Sequence, residues 1–218
     1  MKYFLFVFIF YCGGINAQNT YRINYNHVKY FPDSSKKEGI TSFNFRGRLV
    51  YNDSLSFYYV IPNDSKKDKL EKLAVVGDKL IHHGLMYNSK IKEILSEVAW
   101  PEDKYFVIVD SPRYLNWVFK NQTKNILNYT CSLAYSVNET NDTTMVWYTP
   151  ELGKSFGPAV FFGLPGVVLE VFDQYNSSHY VAEKIELTSA ILVLPQNVER
   201  IPVDRYREQK NKSLNERN

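Results

Sequence analysis

Cysteine is nearly absent from this chain. There are two in 218 residues, Cys12 and Cys131. Cys12 lies in an N-terminal apolar stretch expected to be removed, which leaves Cys131 without an internal partner. A disulfide framework is thereby excluded, and stability has to come from a buried core. No Cys-x-x-Cys, His-Glu-x-x-His or aspartate-rich calcium loop occurs, so the sequence offers no metal site and implies no cofactor. An excess of either charge is missing too. Lys and Arg total 26 against 23 Asp and Glu, for a net charge of +3. Without a basic stripe, nucleic acid is not an expected partner. No apolar run is long enough to span a bilayer, and no internal repeat is visible.

The N-terminal stretch has one basic residue, Lys2, followed by the apolar run Tyr3 to Cys12 and a break at Gly13-Gly14. Ile15-Asn16-Ala17 then presents a small residue for cleavage before Gln18. This is the pattern of a signal peptide over residues 1–17, with export to the periplasm or cell surface. Bulky Tyr11 before Cys12 argues against a lipid anchor.

What the chain has in abundance is aromatic side chains, 17 Tyr and 14 Phe among them, within 44% hydrophobic residues. That supply favours pleated sheet. Tyr21 to Phe31 alternates, with Tyr21, Ile23 and Tyr25 on one face, and Pro32 ends it. Thr41 to Tyr51 and Leu55 to Ile61 read as a hairpin around Asn52-Asp53-Ser54. Asp64 to Asp68 is a lysine-rich link. Within Leu70 to Trp100, Ile91, Ile94, Leu95 and Val98 have helical spacing. Lys90 and Lys92 before Glu93 and Glu97 oppose the helix dipole, so helix and irregular strand both stay open.

Lys104 to Asp110 reads as a buried strand. Tyr114 to Lys120 and Asn125 to Tyr135 follow as sheet, with a turn expected at Asn121 to Lys124. Asn138 to Thr143 connects to a strand ending near Tyr148, and Val167 to Phe172 pairs with Tyr180 to Leu187. Arg205 to Asn218 is polar and expected to be disordered. The fold class is therefore mainly β: one antiparallel, curved sheet or open half-barrel domain over residues 18–204, with at most a little helix.

The most informative stretch runs from Trp147 to Phe172. Leu164-Pro165-Gly166-Val167 has the residues of a type II turn, with proline presetting φ and Gly166 expected at positive φ. Gly157-Pro158 marks a second break before it. Gly163-Leu164-Pro165-Gly166-Val167-Val168 resembles the signature of the GLPGLI family, small secreted proteins of Bacteroidetes-type bacteria. The resemblance covers about Trp117 to Asp173, including Trp147-Tyr148-Thr149-Pro150-Glu151 and Tyr129-Thr130-Cys131-Ser132-Leu133-Ala134. It implies an envelope context and carries over no catalytic residues.

Candidates for chemistry are few. Cys131 would need a base, and His27, His82, His83 and His179 are scattered. His82 and His83 are adjacent and point apart on a strand. Gly153-Lys154-Ser155-Phe156-Gly157 imitates a nucleophile elbow but has proline on both sides where a strand and a helix are required. Trp117, Trp147, Tyr148, Phe161 and Phe162 are candidates for an aromatic ligand groove, or for sheet core. The expectation is a non-catalytic binding or accessory domain at the envelope. Its partner would be a small apolar ligand or an outer-membrane protein. The alternative is a secreted hydrolase using Glu151, Asp173 or Cys131.

Overall fold

A computed structural model describes residues 19–31, 42–61, 84–99, 105–112, 115–194, 196 and 198–215. The expected leader, the Asp64 to Asp68 link and the His82-His83 pair lie outside them. The strands are β1 (Thr20–Tyr30), β2 (Ser42–Tyr51), β3 (Leu55–Ile61), β4 (Gly84–Asn88), β5 (Glu93–Ala99) and β6 (Tyr105–Asp110). There follow β7 (Val118–Ile126), β8 (Tyr129–Val137), β9 (Thr143–Thr149), β10 (Val167–Asp173), β11 (Ser178–Thr188) and β12 (Glu199–Pro202). The single helix among the described residues, α1, spans Val203–Asn215.

All these strands form one 12-stranded sheet in the order β12-β6-β5-β4-β3-β2-β1-β11-β10-β9-β8-β7. The chain makes two meanders. The first walks outward from β1 to β6; the second returns from the far edge, β7, to β11. They join where β1 pairs with β11, from Thr20↔Thr188 to Lys29↔Ser178. Neighbours are antiparallel except β12, which runs parallel to β6. The sheet is therefore mixed, where a wholly antiparallel one was expected.

Chain geometry dictates that this sheet is rolled. In a flat sheet, β6 and β7 would stand about 48 Å apart at the usual strand spacing. The connection between Asp110 and Val118 can reach only about 29 Å fully extended. The two arms must curl toward one another. The roll stays open, with β12 and β7 as its edges.

Side-chain burial follows from what covers each face. Ile23, Tyr25, Leu49, Tyr51, Tyr58 and Tyr87 face the inner core. On the other face of the β2–β6 arm, Val50, Phe57, Tyr59, Met86 and Leu95 pack under Ala190, Leu192 and Leu194. With both faces covered, Phe57, Tyr58 and Tyr59 are all buried and the alternation disappears. The same cause resolves the segment with helical spacing. Ile94 belongs to the inner cluster and Leu95 to the outer one, so this is strand β5. Adjacent apolar residues had imitated a helical period.

Two other expectations are corrected. The polar run Asn121 to Lys124 is no turn; it lies inside β7, an exposed edge strand where polar residues discourage further pairing. The reversal comes at Leu127-Asn128, with φ of 50° and 69° and Ile126 facing Tyr129. That is a two-residue hairpin of the type that demands positive φ at both positions. Instead of a disordered tail, residues from Val203 form α1, which lays Val203 and Tyr206 on Ile108 and Ile201.

Leucine is a poor occupant of the left-handed region, and asparagine visits it more readily. Leu127→Asn is therefore expected to stabilise the protein by about 0.5–1 kcal/mol. Chemical denaturation with an unchanged slope and a higher midpoint is the result that checks it; a lower midpoint contradicts the turn assignment.

Candidate functional site

The concave face of a rolled sheet needs a filling, and the chain supplies it from its own β9–β10 connection. Pro150–Leu152 forms one 3-10 turn, capped by the Thr149 hydroxyl, which accepts from the Glu151 N–H at 3.3 Å. The loop then lays Leu152, Phe156, Phe161, Phe162 and Leu164 into the inner core, each 6% exposed or less. Burying such a side chain contributes roughly 1.5–3 kcal/mol.

Rings from both meanders meet these residues. Tyr87 stacks on Phe162 at 4.3 Å and packs edge-on against Phe156 at 6.0 Å. Tyr51 contacts Phe156 at 5.6 Å, and Tyr180 meets Phe161 edge-on at 5.7 Å. Buried hydroxyls tie the arrangement down. Tyr25 Oη donates to the Val168 carbonyl at 2.6 Å, and Tyr51 Oη to the Leu152 carbonyl at 3.2 Å. The indole of Trp117 donates to the Phe162 carbonyl at 3.3 Å.

The glycines work differently from expectation. Gly166 does not have positive φ, so Leu164 to Val167 is not a type II turn; the left-handed residue is Gly163, with φ 89°. Gly166 is needed because a Cβ there would lie 2.2 Å from the Thr149 carbonyl oxygen. Gly157 is likewise pressed against the Phe161 carbonyl, with 2.0 Å left for a Cβ. Pro158 is buried and Pro165 exposed.

A cavity of about 320 Å³ remains where this loop meets the seam between the two arms. Phe161, Phe162, Leu115, Ile94 and Val160 give it an apolar lining, and Tyr175 stands at its edge. Asp110, Ser111, Asn138, Thr144, Asp173 and Asn176 supply the polar groups. Asp173 is 3% exposed. Its Oδ1 accepts from the Thr144 hydroxyl at 3.3 Å and its Oδ2 from the Asn176 amide at 2.6 Å. Tyr180, nearby in the core, is pushed up to about 12, by burial first and by the Asp173 charge second.

The five candidate groove aromatics do not share one groove. Phe161 and Phe162 floor this cavity and Tyr148 is buried. Trp117 and Trp147 are half-buried against the inner core. Trp147 carries the Lys124 ammonium over its ring at 4.5 Å, and Lys124 pairs with Glu170.

Of the hydrolase candidates, Glu151 lies near enough to Cys131 for its charge to act on the thiol, and neither of these two lines the cavity that Asp173 reaches. Cys131 is fully buried, its thiol pushed up to about 11 chiefly by burial, and it points at the Tyr129 carbonyl. Glu151 accepts from the Thr130 N–H at 2.9 Å and lines a different hollow, with Tyr21 and Asn52. Only Asp173 reaches the cavity. His27 is stacked on Tyr180 at 4.0 Å and lowered to about 4 by burial and then by Lys29. His179 lies against Glu170 at 3.1 Å. Among the described residues no helix is long and apolar enough to cross a membrane.

Residues 136–170 match Porph_ging, a protein family of unknown function. That stretch runs from the end of β8 through the loop into β10. No curated protein sequence matches the chain. Among solved structures, PNGF-II in a C2 crystal form superposes with a TM-score of 0.64 at 18% identity, covering 89% of this chain. The P21 form of PNGF-II gives 0.64 at 19% identity, again over 89%. This chain spans about a third of the length of PNGF-II, 33% in the first form and 34% in the second. At that identity the likeness is one of fold.

Sequence reasoning had no means of finding Ile94, Asp110, Leu115, Asn138 or Asn176 as neighbours of Phe161. They come from four separate stretches that only the roll brings together. Asp110 and Asp173 each end a strand, and that was their one local mark.

Two outcomes test this description. Because Gly166 is limited by backbone contact rather than φ, Gly166→Ala is expected to destabilise by about 1–3 kcal/mol, and Gly166→Asn by at least as much. A Gly166→Asn variant that melts above Gly166→Ala would restore the left-handed turn. For Cys131, alkylation of the folded protein at pH 8–9 is expected to be slow, rising only as pH approaches about 11, while the unfolded chain reacts readily. Rapid labelling of the native protein at pH 8 would overturn the buried assignment.

Proposed function

We propose that the protein is an exported envelope domain that binds a small ligand in the cavity floored by Phe161 and Phe162, without turning it over. Residues 1–17 would be the leader and residues from Gln18 the mature domain, placed in the periplasm or at the cell surface. The likeness of Gly163 to Val168 to the GLPGLI signature supports that compartment. The observation that carries the binding reading is the cavity itself. Its apolar floor belongs to the loop that fills the core, so the site is preformed, and its volume of about 320 Å³ suits a small molecule.

The hydrolase alternative is weakened by how its candidates are already engaged. Cys131 is fully buried with its thiol on the Tyr129 carbonyl, Glu151 is held by the Thr130 N–H, and Asp173 by Thr144 and Asn176, whereas a nucleophile needs an accessible thiol or hydroxyl with its base in hydrogen-bond reach. A complex with an outer-membrane protein is compatible with ligand binding and does not depend on the cavity.

Val160 lines the cavity and is 46% exposed, so a large side chain there should block it without disturbing the core. The protein is isolated from its own cell envelope and examined by native mass spectrometry. The wild type is expected to begin at Gln18 and to carry a small bound molecule. Val160→Trp should melt at the same temperature and lose that molecule. Retention of the molecule by Val160→Trp, or recovery of a chain beginning at Met1, contradicts the respective half of the proposal.

A further inference from the structure

Given the binding reading above, we infer that the ligand is a small organic cation: an ammonium group held by Asp173 and Asp110, with an apolar or aromatic body against Phe161 and Phe162. The charged groups lining the cavity are these two carboxylates; no lysine, arginine or histidine lines it among the described residues. Asp173 is 3% exposed, yet both its hydrogen-bond partners are neutral, the Thr144 hydroxyl and the Asn176 amide. Asp110 accepts from the Ser111 N–H at 2.8 Å, again a neutral partner.

A carboxylate removed from water is costly unless a positive group compensates it. Three part-buried carboxylates elsewhere in this protein have one. Glu170 faces Lys124 and His179, Glu186 faces Arg22 and Lys184, and Glu93 faces Arg200. Asp173 is the more buried group and has no such partner among the described residues. A bound ammonium supplies it, and hydrogen bonds between ions of opposite charge are the stronger kind.

The remaining lining selects the rest of the ligand. An anion entering the cavity meets two like charges. A neutral apolar ligand strips water from both carboxylates and returns nothing. A cation with a compact apolar body satisfies the acids and covers the phenyl rings, whose faces attract positive charge.

The test uses the full-length protein and three ligands of one shape: 2-phenylethylammonium, 2-phenylethanol and phenylacetate, titrated calorimetrically at low salt. The ammonium is expected to bind about tenfold or more tightly than the alcohol, and phenylacetate not at all. Asp110→Asn and Asp173→Asn should each bring the ammonium down toward the alcohol while leaving the alcohol unchanged. If Asp173→Asn fails to fold, because Thr144 and Asn176 rely on it, Asp110→Asn and the wild-type series decide. Equal binding of ammonium and alcohol, or a preference for phenylacetate, overturns the cation and leaves the cavity standing as a site. Binding of none of the three, with Val160→Trp keeping its native molecule, overturns the cavity itself.

Discussion

An open, rolled sheet has a hollow side, and among the described residues no second sheet covers it. The fold depends on how that hollow is filled. The connection Pro150 to Gly166 does it, inserting Leu152, Phe156, Phe161, Phe162 and Leu164 between the arms. It also ties the arms together: Tyr51 of β2 reaches the Leu152 carbonyl within the connection, and Tyr25 of β1 reaches the Val168 carbonyl where β10 begins. The glycines of the segment are explained by this packing. Gly157 and Gly166 are points where two backbones touch, and a methyl group would hold them apart.

The legible parts of the sequence were those with one covered face and a polar turn. Strand β1 alternates because its Arg22, Asn24 and Asn26 look away from the core, and Asn52 announces its hairpin by accepting from the Ser54 and Leu55 N–H groups. Legibility failed where a second cover exists. The segment from Ala190 to Leu194 crosses the back of β2–β6, so β5 lost its alternation and mimicked a helix. It failed again at β7, whose polar Asn121 and Gln122 are the dress of an edge strand rather than a reversal. Leu127 gave no hint of a turn because leucine rarely adopts the required φ. The stretch from Trp147 to Phe172 was identifiable as important, but its reason was misread as local turn geometry. Its role is tertiary and could not be seen without the roll.

The cavity is a product of the same architecture. A loop that fills the middle of the hollow leaves room at its margin, where β5 and β6 of one meander approach the β8–β9 and β10–β11 connections of the other. Residues there are drawn from strand ends and turns, which need not contribute to the core and so are free to be polar. Asp110 and Asp173 stand at such ends, beside an apolar floor fixed by packing. Rigid floor and polar rim is the arrangement from which small-molecule sites are made.

The pairing of β1 with β11 has a consequence for how the molecule comes into being. The central seam joins the first described strand to the last of the second meander, Thr20 opposite Thr188. A chain made from its N-terminus therefore displays the open edge of β1 until almost all of it has emerged. Throughout that time the hollow is also unfilled, because the loop that fills it lies just ahead of β10. Contacts between such distant segments close slowly, and unpaired strand edges invite association with other chains. Cells making this protein thus face their greatest hazard before the final seam forms. A holdase that shields β1 would relieve it, and one that masks β7 would do far less.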